Sequence, residues 1–511
     1  MNSALEKRIK KHIIGKQHRF LAVSPLGFEQ TLVRELEYIR QEANQPHVTG
    51  DGKVEFTAKI TEAWKVIAFS RIANRVLMEV ASFKAENFRE FEKKASEIPW
   101  ELYLSDDKCV GRASRPRELG MTEPNGWELS EAKVQRRETK DERYYDNVIL
   151  RRKASKNPVK YTSALNIHVT CKHSRLYHSD AIAERLYNVI EGNHLNCHSE
   201  ACHSGAKGDR VLAESIPQNL YVNFLDDRCT IWLDLAGEEL YKRGHERFVN
   251  DAPLKETIAA AMLFEAFDAT AQATNNVTPD PVPGPPYTLL DLMSGSGTFS
   301  LEAAYIANKL IPGVCRDFAL KHQPAFKEAT WNFITRSVSL SETKGPVKSC
   351  KAFAAIAKIL TSDISERAVS IIKHNIESCP LANISPAPIT PQLRDFFSYT
   401  AKEIADACGD ASPVLVLNPP YGKRLDFDAP KLYTKIGKKI TELANGLAAF
   451  NKRLTVAILA PKDDTRDGSK YTCTANLLRE CPAISPEHNN SAKIITTSHG
   501  GFSLNAIFAT I

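Results

Sequence analysis

The sequence predicts an α/β protein whose C-terminal half is a mostly parallel sheet covered by helices on both faces. Short apolar runs such as YTLLDLMS and LTVAILAP alternate there with segments such as SERAVSIIKHNIESC, whose apolar positions recur at helical spacing. Buried parallel strands joined by amphipathic helices produce this alternation. The chain ends in KIITTSHGGFSLNAIFATI, two strand-like runs around a glycine turn. We therefore expect the sheet to finish with an antiparallel hairpin.

Length and composition indicate a multidomain globular protein. With 511 residues, the chain is too long for one ordinary core, so we expect two or three domains. The net charge of +6 is too small to establish nucleic-acid binding by itself. The sequence shows no apolar run of membrane-span length, and we expect neither a membrane nor a protein partner. Eleven cysteines without a CxxC pair favour reduced thiols and a cytoplasmic location.

The N-terminal half is predicted to be an α+β region. RFLAVSPLGFEQTLVRELEYI reads as a strand, a turn and a helix, whereas VTGDGKVEF and LYVNFLDDRCTIWLDLAG read as hairpins. Residues 106–160 carry both charge signs and little apolar periodicity, so we expect a solvated insertion rather than a dedicated binding element.

A cluster of histidines and cysteines occupies residues 194–203, in HLNCHSEACH. These are the side chains that zinc prefers, but their spacing matches no ligand pattern of known geometry. We therefore expect no metal and a solvated loop with incidental thiols, with metal binding as the alternative.

The stretch LLDLMSGSGTFSLEAA places an acid at a strand end and a glycine turn before a helix. Asp291 ends the strand, and Ser294, Gly295, Gly297 and Thr298 form the turn. Glycines let the backbone approach a ligand, and the helix N-terminus offers free N–H donors. The third glycine of a dinucleotide site is absent. A carboxylate here suits a ligand with an ammonium group and a neutral ribose, such as S-adenosylmethionine; a tight turn without a ligand is the alternative.

Two further acids follow predicted strands. Asp363, in LTSDISERA, is placed to accept hydrogen bonds from both hydroxyls of a ribose. The alternative is an N-cap of the next helix, a role that also suits Ser365 with Glu366. Asp395, in LRDFF, is placed either to accept from an adenine amine with Phe396 against the ring, or to be an exposed acid at a strand end.

The stretch VLVLNPPYGKRL ends an apolar run in Asn418, Pro419, Pro420 and Tyr421. Each proline lacks a backbone donor and fixes φ, so the strand must stop there. The rigid turn presents the Asn418 side-chain carbonyl and a backbone carbonyl as acceptors for an NH₂ group, and Tyr421 offers a face for stacking. Methylation of a planar exocyclic amine requires these features; a purely structural turn is the alternative.

In this order, the glycine turn, the acids and the NPPY turn resemble the class I S-adenosylmethionine-dependent methyltransferases that carry an NPPY motif. More narrowly, the chain is similar to the bacterial guanine-N2 methyltransferases of 23S rRNA, which join an N-terminal THUMP RNA-binding domain to the catalytic domain. SPLGFEQTLVRELE, LDLAGEELYKRGHERFVNDAPLKETIAAAML and SHGGFSLNAIFATI carry this similarity. The family's turn usually reads D-P-x-C-G-S-G-T; here Leu292 and Ser294 stand at the proline and cysteine positions, and neither change removes a backbone donor.

The resemblance implies a ferredoxin-like part at 1–60, a THUMP RNA-binding region at 61–245 and a Rossmann-like methyltransferase domain at 250–511. It implies S-adenosylmethionine as the cofactor, with Lys255 and Glu256 either near it or forming a surface pair. The implied partner is 23S rRNA or its precursor particle. The resemblance also implies that six residues contact RNA: Lys172, Arg175, Tyr177, His178, Lys423 and Arg424.

The function predicted on this basis is methyl transfer to the N2 amine of a guanine. One alternative is an N6-adenine methyltransferase on RNA or DNA, because both amines suit the same turn. A second is a non-catalytic RNA-binding or ribosome-assembly module, which would have no use for both the glycine turn and Asn418. A protein glutamine methylase shares the NPPY turn but does not need the N-terminal half.

Overall fold

The structure is a computed structural model, and its chain divides into two compact units. The first comprises Met1–Ile9, Glu79–Asp234 and His322–Ala325, and the second comprises Lys10–Met78, Leu235–Lys321 and Phe326–Ile511. The charged insertion and all but the first two residues of the 194–203 cluster lie outside the described residues. The structure describes residues 3–40, 45–104, 165–195, 218–249, 253–274, 286–339, 356–384, 388–421, 428–463 and 472–511.

Strands and helices of the N-terminal half follow the predicted α+β pattern. Their bounds are α1 Ser3–Ile9, β1 Gln17–Val23, α2 Glu29–Ile39, β2 His47–Gly50, β3 Lys53–Lys59, α3 Ile60–Phe69, β4 Arg75–Lys84, α4 Phe88–Ser96, β5 Leu165–Lys172, α5 Ser179–Leu195, β6 Gln218–Leu225 and β7 Arg228–Asp234.

Strands and helices alternate through the C-terminal half until the final hairpin. Their bounds are α6 Glu256–Thr274, β8 Tyr287–Asp291, α7 Thr298–Ala307, α8 Glu328–Ser339, β9 Ile356–Asp363, α9 Glu366–Glu377, β10 Pro391–Leu393, α10 Ala401–Cys408, β11 Ser412–Leu417, α11 Ala429–Ala448, β12 Thr455–Pro461, α12 Cys473–Glu480, β13 Lys493–His499 and β14 Phe502–Thr510.

The sheet of the C-terminal half has the strand order β10-β9-β8-β11-β12-β14-β13. Strands β8 to β12 pair in parallel, and β14 pairs antiparallel with both β12 and β13, which confirms the predicted parallel sheet and terminal hairpin. The order reverses at β8: the chain runs outward through β9 and β10, then returns to β11 on the other side. Ligands of open α/β sheets bind at the carboxyl ends of the strands beside such a switch point.

The central strands are apolar because they are buried on both faces. Every residue of β8 and β12 is buried, as are the last five residues of β11. In register, Asp291 at the end of β8 lies opposite Val416 of β11 and Thr361 of β9. The chain segments that follow β8, β9 and β11 therefore emerge at one edge of the sheet.

Strand β10 is shorter than the stretch ITPQLRDFF predicts. It ends at Leu393, and Asp395 lies beyond it as the cap of a short 3₁₀ turn, Phe396–Ser398. The Asp395 carboxylate accepts from the backbone N–H of Phe397 at 3.0 Å, which favours the turn over a longer strand. Asp395 is thus in a turn, and the prediction that it ends a strand is wrong.

Both hairpins predicted in the N-terminal half are confirmed. β2 and β3 pair across Asp51 and Gly52, whose φ of 68° requires the freedom of glycine. β6 and β7 pair across Asp226 and Asp227, which have φ values of 49° and 61°, as a type I′ hairpin turn demands. In the described residues, we find no helix long and apolar enough to cross a membrane.

A buried ionic network lies within the second unit. The Arg243 guanidinium donates to both carboxylate oxygens of Glu302 on α7, at 2.9 and 3.1 Å, and to the Arg71 backbone carbonyl at 2.9 Å. Arg71 Nη1 lies 3.7 Å from the same carboxylate. Glu35 on α2 accepts from the Arg71 backbone N–H at 2.8 Å. Arg71, in the N-terminal half of the chain, thereby lies beside α7, the helix that follows the glycine turn.

Candidate active site

The glycine turn between β8 and α7 has a fixed backbone. Gly295 and Gly297 have φ values of 56° and 78°, and the Gly297 N–H donates to the Ser294 carbonyl at 2.7 Å. Ser294 is tied to the end of β9, since its N–H and its hydroxyl donate to the Ser362 carbonyl at 3.1 and 2.9 Å. A Cβ built on Gly295 meets no described atom within 4 Å. The turn therefore has open space on the side to which Gly295 points.

Asp291 is a buried carboxylate at the start of this turn, 1% exposed. Its Oδ2 accepts from the Ser300 N–H at 3.1 Å and from the Ser300 hydroxyl at 2.6 Å. Its Oδ1 has no hydrogen-bond partner among the described residues. Burial raises the pKa of Asp291 to about 7, against the opposing effect of the Ser300 hydrogen bonds, and the nearby Asp363 charge adds to the rise. A buried acceptor without a partner is suited to a cationic donor.

Asp363 lies half-buried at the end of β9, beside the glycine turn. Its Oδ2 accepts from the Gly295 N–H at 2.8 Å and its Oδ1 from the Ser365 N–H at 2.9 Å. The N-cap of α9 is Ser365, whose side chain accepts from Ala368. Because a carboxylate has about four acceptor positions, both oxygens keep capacity for a ligand hydroxyl.

Two apolar residues lie beside the acids at the end of β9 and after β10. Phe396 is only 2% exposed and belongs to the hydrophobic core, which does not favour the predicted stacking of its ring on a ligand. Ile364, directly after Asp363, is 72% exposed, which is unusual for a large apolar side chain. An exposed apolar residue beside the acid offers a surface for one face of a flat ring.

The NPPY turn follows β11, the neighbour of β8. Asn418 is half-buried, and its Oδ1 is buried without a hydrogen-bond partner in the described part of the chain. Pro420 is exposed. The Tyr421 ring meets the ring of Phe502, at the start of β14, edge to face with centroids 5.9 Å apart. Burial raises the pKa of Tyr421, so its hydroxyl stays protonated at neutral pH.

Lys255 and Glu256, before and at the start of α6, have separate contacts. Lys255 lies 3.7 Å from the Glu239 carboxylate and 4.8 Å from the centroid of the Tyr241 ring. The alternative of a surface pair between Lys255 and Glu256 is therefore wrong, because Lys255 pairs with Glu239 instead. Glu256 is 8% exposed and forms an ion pair with Arg247.

Four of the predicted RNA contacts are described, and they belong to the first unit. Lys172, Tyr177 and His178 are exposed, with the Tyr177 and His178 rings 4.1 Å apart. Arg175 is exposed but forms an ion pair with Glu86. Lys423 and Arg424 lie outside the described residues. Within those residues, we find no group of three or more His, Cys, Asp or Glu side chains arranged to hold a metal ion.

Sequence reasoning missed Arg247 and Asn375. Arg247 donates to the hydroxyls of Ser296 and Thr298, and Asn375 donates to the Ser296 carbonyl at 3.2 Å. Both residues hold the outer side of the glycine turn. Arg247 stands in the stretch YKRGHERF, in which nothing in the residue pattern sets this arginine apart from its charged neighbours.

Comparison with known families finds matches to two parts of the chain. Residues 243–467 match the family model described as an RMKL-like methyltransferase domain. Every described cofactor and NPPY-turn candidate lies inside this domain. Residues 19–77 match the RlmL ferredoxin-like domain, which overlaps the N-terminal part predicted to be ferredoxin-like.

Curated relatives cover most of the chain at low identity. The "Ribosomal RNA large subunit methyltransferase K/L" of Allochromatium vinosum is 25% identical over 433 residues, which cover 83% of this chain and 46% of that protein. The chain thus spans about half the length of this relative. The "Putative RNA methyltransferase YpsC" of Bacillus subtilis is 26% identical over 430 residues, which cover 84% of this chain and 86% of that protein.

A solved structure supports the fold of the methyltransferase domain. SMU.472, a putative methyltransferase complexed with SAH, has a TM-score of 0.60 and 19% identity, and the match covers 97% of this chain and 98% of that one. With the strand order β10-β9-β8-β11-β12-β14-β13, this likeness confirms the predicted class I methyltransferase fold.

Proposed function

We propose that the protein transfers a methyl group from S-adenosylmethionine to the exocyclic N2 amine of a guanine in 23S rRNA or its precursor particle. The observation that carries the proposal is the Asn418 Oδ1, a buried acceptor without a partner in the described residues, directly after β11, the strand that pairs with β8. The names of the relatives, a large-subunit rRNA methyltransferase and a putative RNA methyltransferase, support an RNA substrate.

The residues of the glycine turn fit S-adenosylmethionine. The Oδ1 of Asp291, which has no partner among the described residues, suits the ammonium group, and the spare acceptor positions of Asp363 suit the ribose hydroxyls. The exposed Ile364 side chain suits one face of the adenine. When bound, the cofactor supplies an electrophilic methyl group on a sulfonium.

Asn418 orients the target amine in this mechanism. Its Oδ1 accepts one N–H of the target amine, which orients the nitrogen lone pair toward the methyl group. When bound, the sulfonium would supply the methyl group to the nitrogen and leave as the thioether S-adenosylhomocysteine, and the amine would lose one proton to water. No strong base is required, because the nitrogen becomes acidic as it is alkylated. Tyr421, whose raised pKa keeps it neutral, offers its ring for stacking of the extruded base.

The N-terminal half is proposed to bind RNA. Lys172, Tyr177 and His178 are exposed and combine a cation with two rings, which suits phosphate and base contacts. Lys423 and Arg424 are proposed to meet substrate phosphates close to the reacting base. The THUMP assignment of residues 61–245 remains part of this proposal.

Labelled cofactor and rRNA that lacks its modifications test the proposal directly. After incubation, the RNA is digested and the labelled nucleoside is identified by chromatography. N2-methylguanosine is the expected product. N6-methyladenosine would instead favour the adenine alternative, since both amines suit the Asn418 turn. Absence of a labelled nucleoside with either naked rRNA or precursor particles would contradict the proposal.

Replacement of Asp363 by alanine is expected to weaken binding of S-adenosylhomocysteine by about tenfold to a hundredfold. The ribose would lose its acceptor, and the Gly295 and Ser365 N–H groups would lose theirs. Calorimetric titration measures the change, with the exposed Asp406→Ala as the control variant. Normal affinity of Asp363→Ala would show that the ribose does not lie beside β9.

The affinity for S-adenosylhomocysteine is expected to rise by severalfold between pH 6 and pH 7.5. Burial raises the pKa of Asp291 to about 7, so ionisation of this carboxylate, which the ammonium group requires, occurs in that range. In Asp291→Asn the dependence on pH should disappear. The linkage has the opposite sign for the free protein: a carboxyl with a raised pKa in the folded state lowers stability as pH rises from about 4 to about 7.

A further inference from the structure

The segment of Arg247 and Phe248, which precedes α6, contacts the glycine turn. Arg247 forms an ion pair with Glu256 and donates to the hydroxyls of Ser296 and Thr298. Its side chain is 12% exposed. The arginine therefore joins the first residue of α6 to two residues of the turn.

Adjacent contacts hold the same segment in place. The Asn375 side chain on α9 accepts from the Phe248 N–H at 2.8 Å and donates to the Phe248 carbonyl at 2.9 Å. It also donates to the Ser296 carbonyl at 3.2 Å. The Phe248 ring stacks on His374 with centroids 3.9 Å apart. Arg247 is thus anchored beside the turn by the residue that follows it.

The glycine turn needs support from the segment of Arg247 and Phe248. Its inner side is tied to β9 through Ser294 and Gly295, but two of its residues have positive φ and little side-chain packing of their own. Backbone of this kind keeps one geometry only where surrounding contacts determine it. The planar guanidinium can serve a carboxylate and two hydroxyls at once, which a lysine ammonium of the same charge does less well.

We propose that Arg247 is a positioning residue for the cofactor: it holds Ser296 and Thr298 so that the glycine turn keeps its ligand-binding geometry. This inference rests on the proposed function, because it assumes that the turn binds S-adenosylmethionine. Arg247 acts through the two hydroxyls. Its contribution therefore depends on their presence.

The test compares calorimetric binding of S-adenosylhomocysteine by the full-length protein and its variants. Arg247→Lys keeps a cation opposite Glu256, so no buried carboxylate is left unpaired, and it should bind the ligand about tenfold more weakly. In a background of Ser296→Ala with Thr298→Val, the same lysine substitution should cause no further loss. Such non-additivity is the signature of action through the turn.

Arg316→Lys is the matched control. Arg316 donates to the carbonyls of Glu238, Glu239 and Lys242, which lie before the segment and outside the turn, so it supports the chain there. The Arg316→Lys substitution should lower the melting temperature of the protein and leave its affinity for S-adenosylhomocysteine unchanged. Three results would overturn the inference: wild-type affinity in Arg247→Lys, equal weakening in Arg316→Lys, or additive losses in the turn background. Failure of the wild-type protein to bind would instead overturn the proposed function on which it rests.

Discussion

Asn418→Ala is expected to reduce methyl transfer by about a thousandfold, while the affinity for S-adenosylhomocysteine stays within about twofold. The Oδ1 of Asn418 is buried and has no partner in the described residues, so its removal costs no hydrogen bond among those residues. The bound amine, by contrast, loses the acceptor that orients its lone pair. Single-turnover rates with labelled cofactor, beside calorimetric titration, separate the two effects.

The exposed Asn383→Ala is the control for this substitution and should retain full activity. Asn418→Asp keeps an acceptor of the same shape and should retain measurable transfer. If Asn418→Ala lost cofactor affinity in parallel with activity, the residue would belong to the cofactor site and the assigned role would be contradicted.

Arg243→Ala is expected to lower the free energy of unfolding by ~3–5 kcal/mol, because it leaves the Glu302 carboxylate buried without its main partner. The two side chains are 2% and 3% exposed and share two hydrogen bonds. Arg71 lies 3.7 Å from Glu302, too far for a hydrogen bond to replace them. Urea denaturation followed by fluorescence measures the loss.

Neighbouring Lys242 provides the comparison. Its ion pair with Glu238 is exposed on both sides, so Lys242→Ala should change stability by less than ~0.5 kcal/mol. Replacing both buried charges, in Arg243→Met with Glu302→Leu, should recover most of the loss, since apolar side chains can occupy the site without an unpaired charge. A loss in Arg243→Ala no larger than that in Lys242→Ala would show that the network does not stabilise the fold.

Local patterns in the sequence predict the sheet and the strand ends that carry the site. The apolar runs that end at Asp291 and Leu417 form the buried strands β8 and β11, and the run that ends at Asp363 forms the less buried strand β9. Gly500 and Gly501 form the final hairpin turn. These features are visible because each depends on residues close together in the chain. The predicted end of β10 was wrong, because the Asp395 side chain caps a turn where a strand was expected.

Contacts between distant residues could not be predicted in this way. Arg247 meets Thr298 across 51 positions, and Arg243 meets Glu302 across 59. Arg71 donates to the Leu310 carbonyl across 239 positions. Periodicity and motif spacing contain no information on such pairs. The sequence therefore indicates the candidate residues of the site, but not the residues that hold them in place.

We expect the turn after β11 to present the Asn418 acceptor to a flat amino group, beside the sulfonium of a bound S-adenosylmethionine. A crystal structure of the protein with S-adenosylhomocysteine tests it most directly. We expect the ribose to bind Asp363 and the amino group to bind Asp291. We expect the sulfur to face Asn418 across a gap wide enough for one base. A ligand bound elsewhere, or an Asn418 side chain engaged by the residues after Tyr421 with no gap before the sulfur, would contradict it.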